Sequence, residues 1–292
     1  MIVAAGPASR ELASKVGVQL GVRVTPVEFK QFSDGESYIR FPDALKGEVV
    51  VVVQSTYPPQ DVHLTQLFLM LDAARDLGAR LVVAVVPYLA YMRQDKRFRS
   101  GEAVSVETVA KLIEASGAGR FITFDLHGKN ISNLFRIPAE NLSAARVLGE
   151  YLSKLSLRNP YFFAPDFGAA RFAEAVASVL GAESTFFEKQ RDRVTGQIVT
   201  AMKSVDVRGR DAVILDDIVS TGSTVVSAAR ILREQGAKDI YVACTHPLLL
   251  GNAGLKLKEA GVKTIVGTDC VESEVSVVSV APVAAESLRK LL

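Results

Sequence analysis

The stretch from Val213 to Thr224 constrains the fold most. Val213, Ile214 and Leu215 form an apolar run suited to a buried strand. The adjacent acids Asp216 and Asp217 follow, and then a loop of small hydroxyl and glycine residues. Val225 to Gln235 carries helical periodicity and is closed by Gly236. Strand, tight loop and helix in that order make a βα unit. The loop also carries chemistry. Backbone N–H groups and a positive dipole end at a helix N-terminus suit a phosphate. Ser220, Thr221, Ser223 and Thr224 add hydroxyl donors, and Gly222 lets the backbone come close. The paired carboxylates would repel that phosphate, so they need sugar hydroxyls or a divalent metal. A sugar phosphate satisfies both ends at once. The alternative is an ordinary strand–loop–helix junction with acids near an N-cap.

Strand and helix patterns alternate along the rest of the chain. Val49 to Val53 reads as a buried strand. His63 to Leu77 has apolar residues at helical spacing (Leu64, Leu67, Phe68, Leu71 and Ala74) and is closed by Gly78. Leu81 to Val86 is the next strand, Val104 to Ser116 a helix, and Phe121 to Phe124 a strand. In the second half Ala212 to Leu215, Val225 to Gln235 and Ile240 to Cys244 repeat the theme. This predicts an α/β protein with mostly parallel sheets covered by helices on both faces.

The halves also echo each other. Arg75-Asp76-Leu77-Gly78-Ala79-Arg80 leads into one strand, and Arg233-Glu234-Gln235-Gly236-Ala237-Lys238 into another. With 292 residues, 49% of them hydrophobic, there is material for two cores. We expect two domains of one fold, residues 1–145 and 146–292, with the last helix, Ala284 to Leu292, packing back on the first. The rival explanation is that any helix-to-strand junction favours glycine. The acid-pair loop occurs only in the C-terminal half, so that half alone should take the sugar phosphate.

A net charge of +2 argues against a broad nucleic-acid surface. Two cysteines without metal spacing, Cys244 and Cys270, fit a reducing compartment. The start, Met1 to Gly6, lacks a signal-peptide pattern, and the longest apolar run, Leu81 to Met92, is interrupted by Pro87. The expectation is a cytoplasmic protein with neither nucleic-acid nor membrane partners.

Further clusters stand at predicted strand ends, where open α/β sheets place ligands. Phe32-Ser33-Asp34-Gly35-Glu36 reads as a hairpin turn, and its exposed ring and acids also suit a purine base. Arg93 and Gln94 lie in a charged segment that is either a solvated loop or a phosphate- and base-reading one. His127 and Asp166 each follow a strand; together they would make an N/O site for a divalent ion, and singly each can be structural. Lys189 and Arg191 sit two apart on a predicted hairpin arm, Thr185 to Thr200. That arm is either an exposed charged hairpin or a pair of cations able to close over a polyphosphate.

Taken together, FSDGE at 32–36, YMRQDKR at 91–97, DLHGKNISNLF at 125–135, PDFG at 165–168, EKQRDR at 188–193 and DDIVSTGST at 216–224 resemble the ribose-phosphate diphosphokinase family. Two departures are visible. Ser220 stands where that family often has a third acid, and EKQRDR differs from the KRR-type arm of many bacterial members. The resemblance implies two similar doubly wound domains of the type I phosphoribosyltransferase fold. It implies transfer of the β,γ-diphosphoryl group of ATP to the C1 hydroxyl of ribose 5-phosphate, for nucleotide biosynthesis. By the same resemblance, Phe32, Asp34, Glu36, Arg93 and Gln94 bind ATP, the hairpin residues from a neighbouring subunit of a homo-oligomer. Arg191, Asp216, Asp217, Ser220, Thr221, Gly222, Ser223 and Thr224 bind ribose 5-phosphate. His127 and Asp166 hold Mg²⁺, and Lys189 and Arg191 are catalytic. An ordinary phosphoribosyltransferase and a non-catalytic relative are the two rival readings.

Overall fold

The computed structural model describes residues 1–126, 133–191, 198–202 and 206–292, with backbone alone for 188–191 and 198–202. These residues divide into two compact units. The N-terminal unit comprises Met1–Ser143, Cys270–Glu272 and Ser279–Leu292; the C-terminal unit comprises Ala144–Asp269 and Ser273–Val278.

In the N-terminal unit the chain runs β1 (Ile2–Ala5), α1 (Arg10–Leu20), β2 (Arg23–Pro26), a hairpin of β3 (Glu28–Gln31) and β4 (Ser37–Arg40), and β5 (Val49–Val53). It continues through α2 (Gln60–Asp76), β6 (Leu81–Val85), α3 (Ser105–Ala115), β7 (Arg120–Phe124) and β8 (Ala139–Leu142). Six strands form a wholly parallel sheet in the order β2-β1-β5-β6-β7-β8. All five valines of β5 are buried, as a strand covered on both faces requires. One face packs against α2 and α3 through Leu64, Leu67, Met70, Leu71, Val106 and Ile113.

The C-terminal unit runs α4 (Ala145–Leu152), β9 (Tyr161–Ala164), a 3₁₀ turn (Phe167–Ala169), α5 (Ala170–Val179), β10 (Glu183–Arg191), β11 (Ile198–Met202), β12 (Ala212–Val219) and α6 (Ser223–Glu234). Then come β13 (Ile240–Pro247), α7 (Ala253–Glu259), β14 (Val262–Thr268) and β15 (Ser276–Val278). The sheet order is β11-β10-β9-β12-β13-β14-β15, parallel except for the β10–β11 pair. A final helix, α8 (Ala281–Leu288), belongs to the N-terminal unit. It packs on α1, and Ser287 Oγ donates to the Glu140 carboxylate at 2.7 Å.

The two units share a strand order, and the sequence echo has a structural counterpart. The Gly47 amide donates to the Gly78 carbonyl at 2.8 Å, and the Gly209 amide to the Gly236 carbonyl at 2.9 Å. The Arg80 amide donates to Glu48 at 2.7 Å, and the Lys238 amide to Arg210 at 2.8 Å. A helix end that merely favoured glycine would not reproduce these partners from a second, distant segment. Several boundaries differ from the sequence expectation. The division falls at Ser143/Ala144 rather than 145/146, and Cys270–Glu272 and Ser279–Leu292 return to the N-terminal unit. The last helix is Ala281–Leu288 rather than Ala284 to Leu292, α2 starts at Gln60, and β13 runs on to Pro247. β12 extends past Leu215 to Val219, because Asp216 to Val219 keep pairing with β13; α6 begins at Ser223 rather than Val225. Among the described residues no helix is long and apolar enough to cross a membrane.

Candidate active site

The C-terminal sheet changes direction between β9 and β12. From β9 the chain winds outward through α5 to β10, and from β12 it winds the other way through α6 to β13. Open sheets bind ligands in the crevice at such a switch point, outside the carboxyl ends of the strands. Here the crevice has a definite origin. β12 pairs with β9 only as far as Ile214, opposite Phe163, whereas its pairing with β13 runs on to Val219. Asp216 and Asp217 therefore lie on a strand that has lost its neighbour on one side.

Asp166 follows β9 on that lost side, and its carboxylate accepts from the Gly168 amide at 3.0 Å as the cap of the 3₁₀ turn. The Asp217 amide donates to the Asp216 carboxylate at 3.0 Å, and the Ile218 amide to Asp217 at 2.8 Å. These bonds do not offset the crowding of charge. Burial, reinforced by the charges of Asp217 and Asp166, pushes the Asp216 carboxyl up to about 8. Hydroxyl donors or a cation beside these acids would relieve that crowding. Opposite Asp216 on β13, burial pushes the Cys244 thiol up, so it stays protonated.

Beyond the acids the loop turns into α6. Gly222 takes φ 74°, a left-handed conformation that disfavours any residue with a Cβ. The Val226 amide, donating to the Gly222 carbonyl at 2.8 Å, is the first bond of the helix, so helix geometry gives the amides from Gly222 to Val225 no intrahelical acceptor. The side chains of Thr221, Ser223 and Thr224 are exposed around them. The Leu249 and Leu250 amides donate to the carbonyls of Val219 and Ser220 at 3.0 Å each, which fixes the loop from behind. Those two leucines had no signal in the sequence, because a main-chain contact does not depend on side-chain type.

In the N-terminal unit, β3 and β4 pair antiparallel, and residues 32–36 form the connection. The Phe32 amide donates to Glu36 at 2.8 Å, the Gly35 amide to Phe32 at 2.9 Å, and the Glu36 amide to the Asp34 carboxylate at 3.2 Å. Phe32 stands 45% exposed at the tip. Arg93 and Gln94 lie in the loop after β6. The Gln94 side-chain amide donates to the Lys96 carbonyl at 3.2 Å and to Glu102 at 3.1 Å, so both its N–H donors are used within the loop. Glu102 also accepts from the amides of Phe98 and Arg99, at 2.8 and 3.0 Å, bonds that hold its carboxyl below the usual range. Glu102 thus organises this loop, and sequence reading missed it. Asp125, at φ 37°, follows β7, and the Leu126 amide donates to the Asn141 side chain at 2.9 Å. His127 itself lies outside the described residues.

Lys189 and Arg191 fall on β10, opposite Thr200 and Ile198 of β11. The backbone thus forms the antiparallel arm read from the sequence. The structure brings Asp166, Asp216, Asp217 and the 220–224 loop together in the C-terminal unit. Phe32, Asp34 and Glu36 share the hairpin of the N-terminal unit. Among the described residues no group of three or more His, Cys, Asp or Glu is arranged to hold a metal ion by itself.

Two family profiles match the chain: the N-terminal domain of ribose phosphate pyrophosphokinase over residues 1–117, and the phosphoribosyl transferase domain over residues 130–283. A ribose-phosphate pyrophosphokinase of Methanothermobacter thermautotrophicus is 45% identical over 283 residues, spanning 97% of this chain and 98% of that protein. One of Methanopyrus kandleri is 44% identical over 293 residues, spanning 100% and 99%. The chain belongs to the ribose-phosphate pyrophosphokinase family.

A crystal structure of phosphoribosylpyrophosphate synthetase from Mycobacterium smegmatis matches with TM-score 0.86 and 32% identity, covering 100% of this chain and 98% of that one. The type I phosphoribosyltransferase architecture expected from sequence is therefore the architecture of this ribose-phosphate pyrophosphokinase family member in both units.

Proposed function

We propose that this chain transfers the β,γ-diphosphoryl group of ATP to ribose 5-phosphate, giving 5-phosphoribosyl 1-diphosphate and AMP. The observation that carries the reading is the crevice beside β12: three acids at its mouth and, downstream, a hydroxyl-rich loop at the start of α6. The amides and hydroxyls of residues 220–224 hold the 5-phosphate. Asp216 and Asp217 accept hydrogen bonds from the ribose hydroxyls. The C1 hydroxyl attacks the β-phosphorus of ATP and gives up its proton to solvent, the bond from that phosphorus to the α,β-bridging oxygen breaks, and AMP leaves. Lys189 and Arg191 stabilise the charge of the transition state, with Arg191 also reaching the sugar phosphate. Phe32 stacks on adenine, Asp34 and Glu36 accept from it, and Arg93 and Gln94 complete the nucleotide site. The hairpin acts on a neighbouring copy, so the chain works as a homo-oligomer, at least a dimer. It acts in the cytoplasm without nucleic-acid or membrane partners.

Mg²⁺ is the proposed cofactor. The donor chemistry fits: the crowded carboxyls of Asp166, Asp216 and Asp217 suit a hard cation that binds oxygen and tolerates few protein ligands. Asp166 is the proposed carboxylate ligand and His127 the imidazole. When bound, Mg²⁺ neutralises the polyphosphate and so eases attack by the hydroxyl.

The test is to incubate the pure chain with Mg²⁺, ATP and ribose 5-phosphate and follow phosphorus NMR. AMP and 5-phosphoribosyl 1-diphosphate should form in equal amounts. Formation of ADP instead defeats the diphosphoryl transfer, and the absence of any AMP defeats the proposal and favours the non-catalytic rival.

A further inference from the structure

The outer face of the β3–β4 hairpin carries an ordered ladder. Pairing sets Glu28 opposite Arg40 and Lys30 opposite Tyr38, and the Phe32–Glu36 hydrogen bond closes the ladder at the tip. Because strand residues alternate faces, these six share one side. The other side takes the half-buried Ile39 into the core. Glu28 is held by Arg40 in an ion pair of 2.6 Å. The Lys30 ammonium lies 4.7 Å from the ring centroid of Tyr38 and 5.0 Å from that of Phe32. The two rings meet edge to face, with centroids 6.0 Å apart at 82°. One cation therefore joins two aromatic rings across the strands, and the exposed Phe32 is tied to both.

A phenylalanine at a hairpin tip would otherwise sample several rotamers and lose that freedom on stacking against a ligand. Ordering the ring beforehand lowers that cost. A cation on one face of a ring also leaves the opposite face for stacking and draws electron density away from it, which favours an electron-rich purine there. Neither Lys30 nor Tyr38 reaches reacting atoms in this scheme; they act through Phe32.

We propose that Lys30 and Tyr38 are positioning residues that set the Phe32 ring to receive the nucleotide base. This rests on the reading that Phe32 stacks on that base. The measurements are the Kd of a non-hydrolysable ATP analogue by calorimetry, and the separate KM values for ATP and ribose 5-phosphate. The variants are Lys30→Met, which keeps the apolar stem and removes the charge, Lys30→Arg, Tyr38→Ala and Phe32→Ala. Lys30→Met should raise the analogue Kd and the KM for ATP about two- to fivefold, the range of one exposed cation–π contact. The KM for ribose 5-phosphate and kcat should stay within about twofold, and Lys30→Arg should restore ATP affinity. Tyr38→Ala should shift ATP affinity in the same direction, and it supplies the test if Lys30→Met does not fold. Unchanged ATP affinity in Lys30→Met, an equal rise in both KM values, or no rescue by arginine overturns the inference. Phe32→Ala separates the two readings. If it weakens ATP while Lys30→Met does not, only the positioning role fails; if Phe32→Ala leaves ATP affinity intact, the base-stacking reading itself fails.

Discussion

Asp216 in the C-terminal unit occupies the position that Gln54 occupies in the N-terminal unit. Each follows its matched glycine, Gly209 or Gly47, by the same distance along the chain; Asp216 lies within β12, and Gln54 directly follows β5. At Asp216 the switch-point crevice is open; at Gln54 it is closed. The Ala8 amide donates to the Gln54 side chain at 3.0 Å, the Gly6 amide to Val53 at 3.0 Å, and the Ser55 amide to Ser9 Oγ at 2.9 Å. Gln54, Ser55 and Thr56 are fully buried, and Ser55 Oγ donates to the carbonyl of Cys270. Asp61, in the first turn of α2 and hydrogen-bonded by the Tyr91 hydroxyl, places negative charge where the other copy would accept phosphate. Calorimetry with ribose 5-phosphate should therefore give one site per chain. Two equivalent sites would refute the asymmetry between the copies.

The closed copy depends on one absent side chain. A Cβ at Gly6 would stand 2.3 Å from the Gln54 side-chain oxygen and 2.7 Å from the Val53 carbonyl. The main-chain oxygen cannot move aside cheaply. Gly6→Ala should destabilise the protein by about 1–3 kcal/mol, the usual cost of overpacking. Thermal unfolding should show a Tm lower by several degrees, while Gly21→Ala, with open space around its Cβ position, reports the cost of backbone strain alone.

Asp216 links the site to stability. Its carboxyl titrates far above the unfolded value, so between roughly pH 4 and pH 8 the folded state holds a proton that the unfolded state has lost. Stability of the ligand-free protein should fall as pH rises through that window, and the destabilisation is complete above it. Asp216→Asn removes the penalty. Because the site is partly solvated, a gain of about 1 kcal/mol, or roughly 2–4 °C in Tm, is expected at pH 8.5, with little change at pH 4.5. The same variant should lose use of ribose 5-phosphate while keeping ATP affinity. A Tm gain equal at both pH values would remove the electrostatic explanation.

Lys189→Ala tests the arm. If the cation acts only as charge develops, kcat and kcat/KM should fall together, by about 10²–10³, with the KM for ribose 5-phosphate little changed. A near-normal kcat, with only KM altered, would assign Lys189 to substrate binding instead.

By itself the sequence determined the alternation of strands and helices, the parallel sheets, the hairpin at residues 32–36 and the acid-pair loop. Each rests on a local pattern: the five valines of β5, the helical spacing in α2, or small residues ahead of α6. Only tertiary structure decided that Asp216 and Asp217 extend a strand whose neighbour has ended, and that Asp166 adds its charge there. Only tertiary structure seals the twin crevice with Gly6, Ala8 and Ser9, and ties Phe32 to Lys30 and Tyr38. The physical reason is the same throughout. Periodicity reports which face of an element is buried, whereas charge crowding, close approach and cross-strand contact depend on distances between segments remote in the chain.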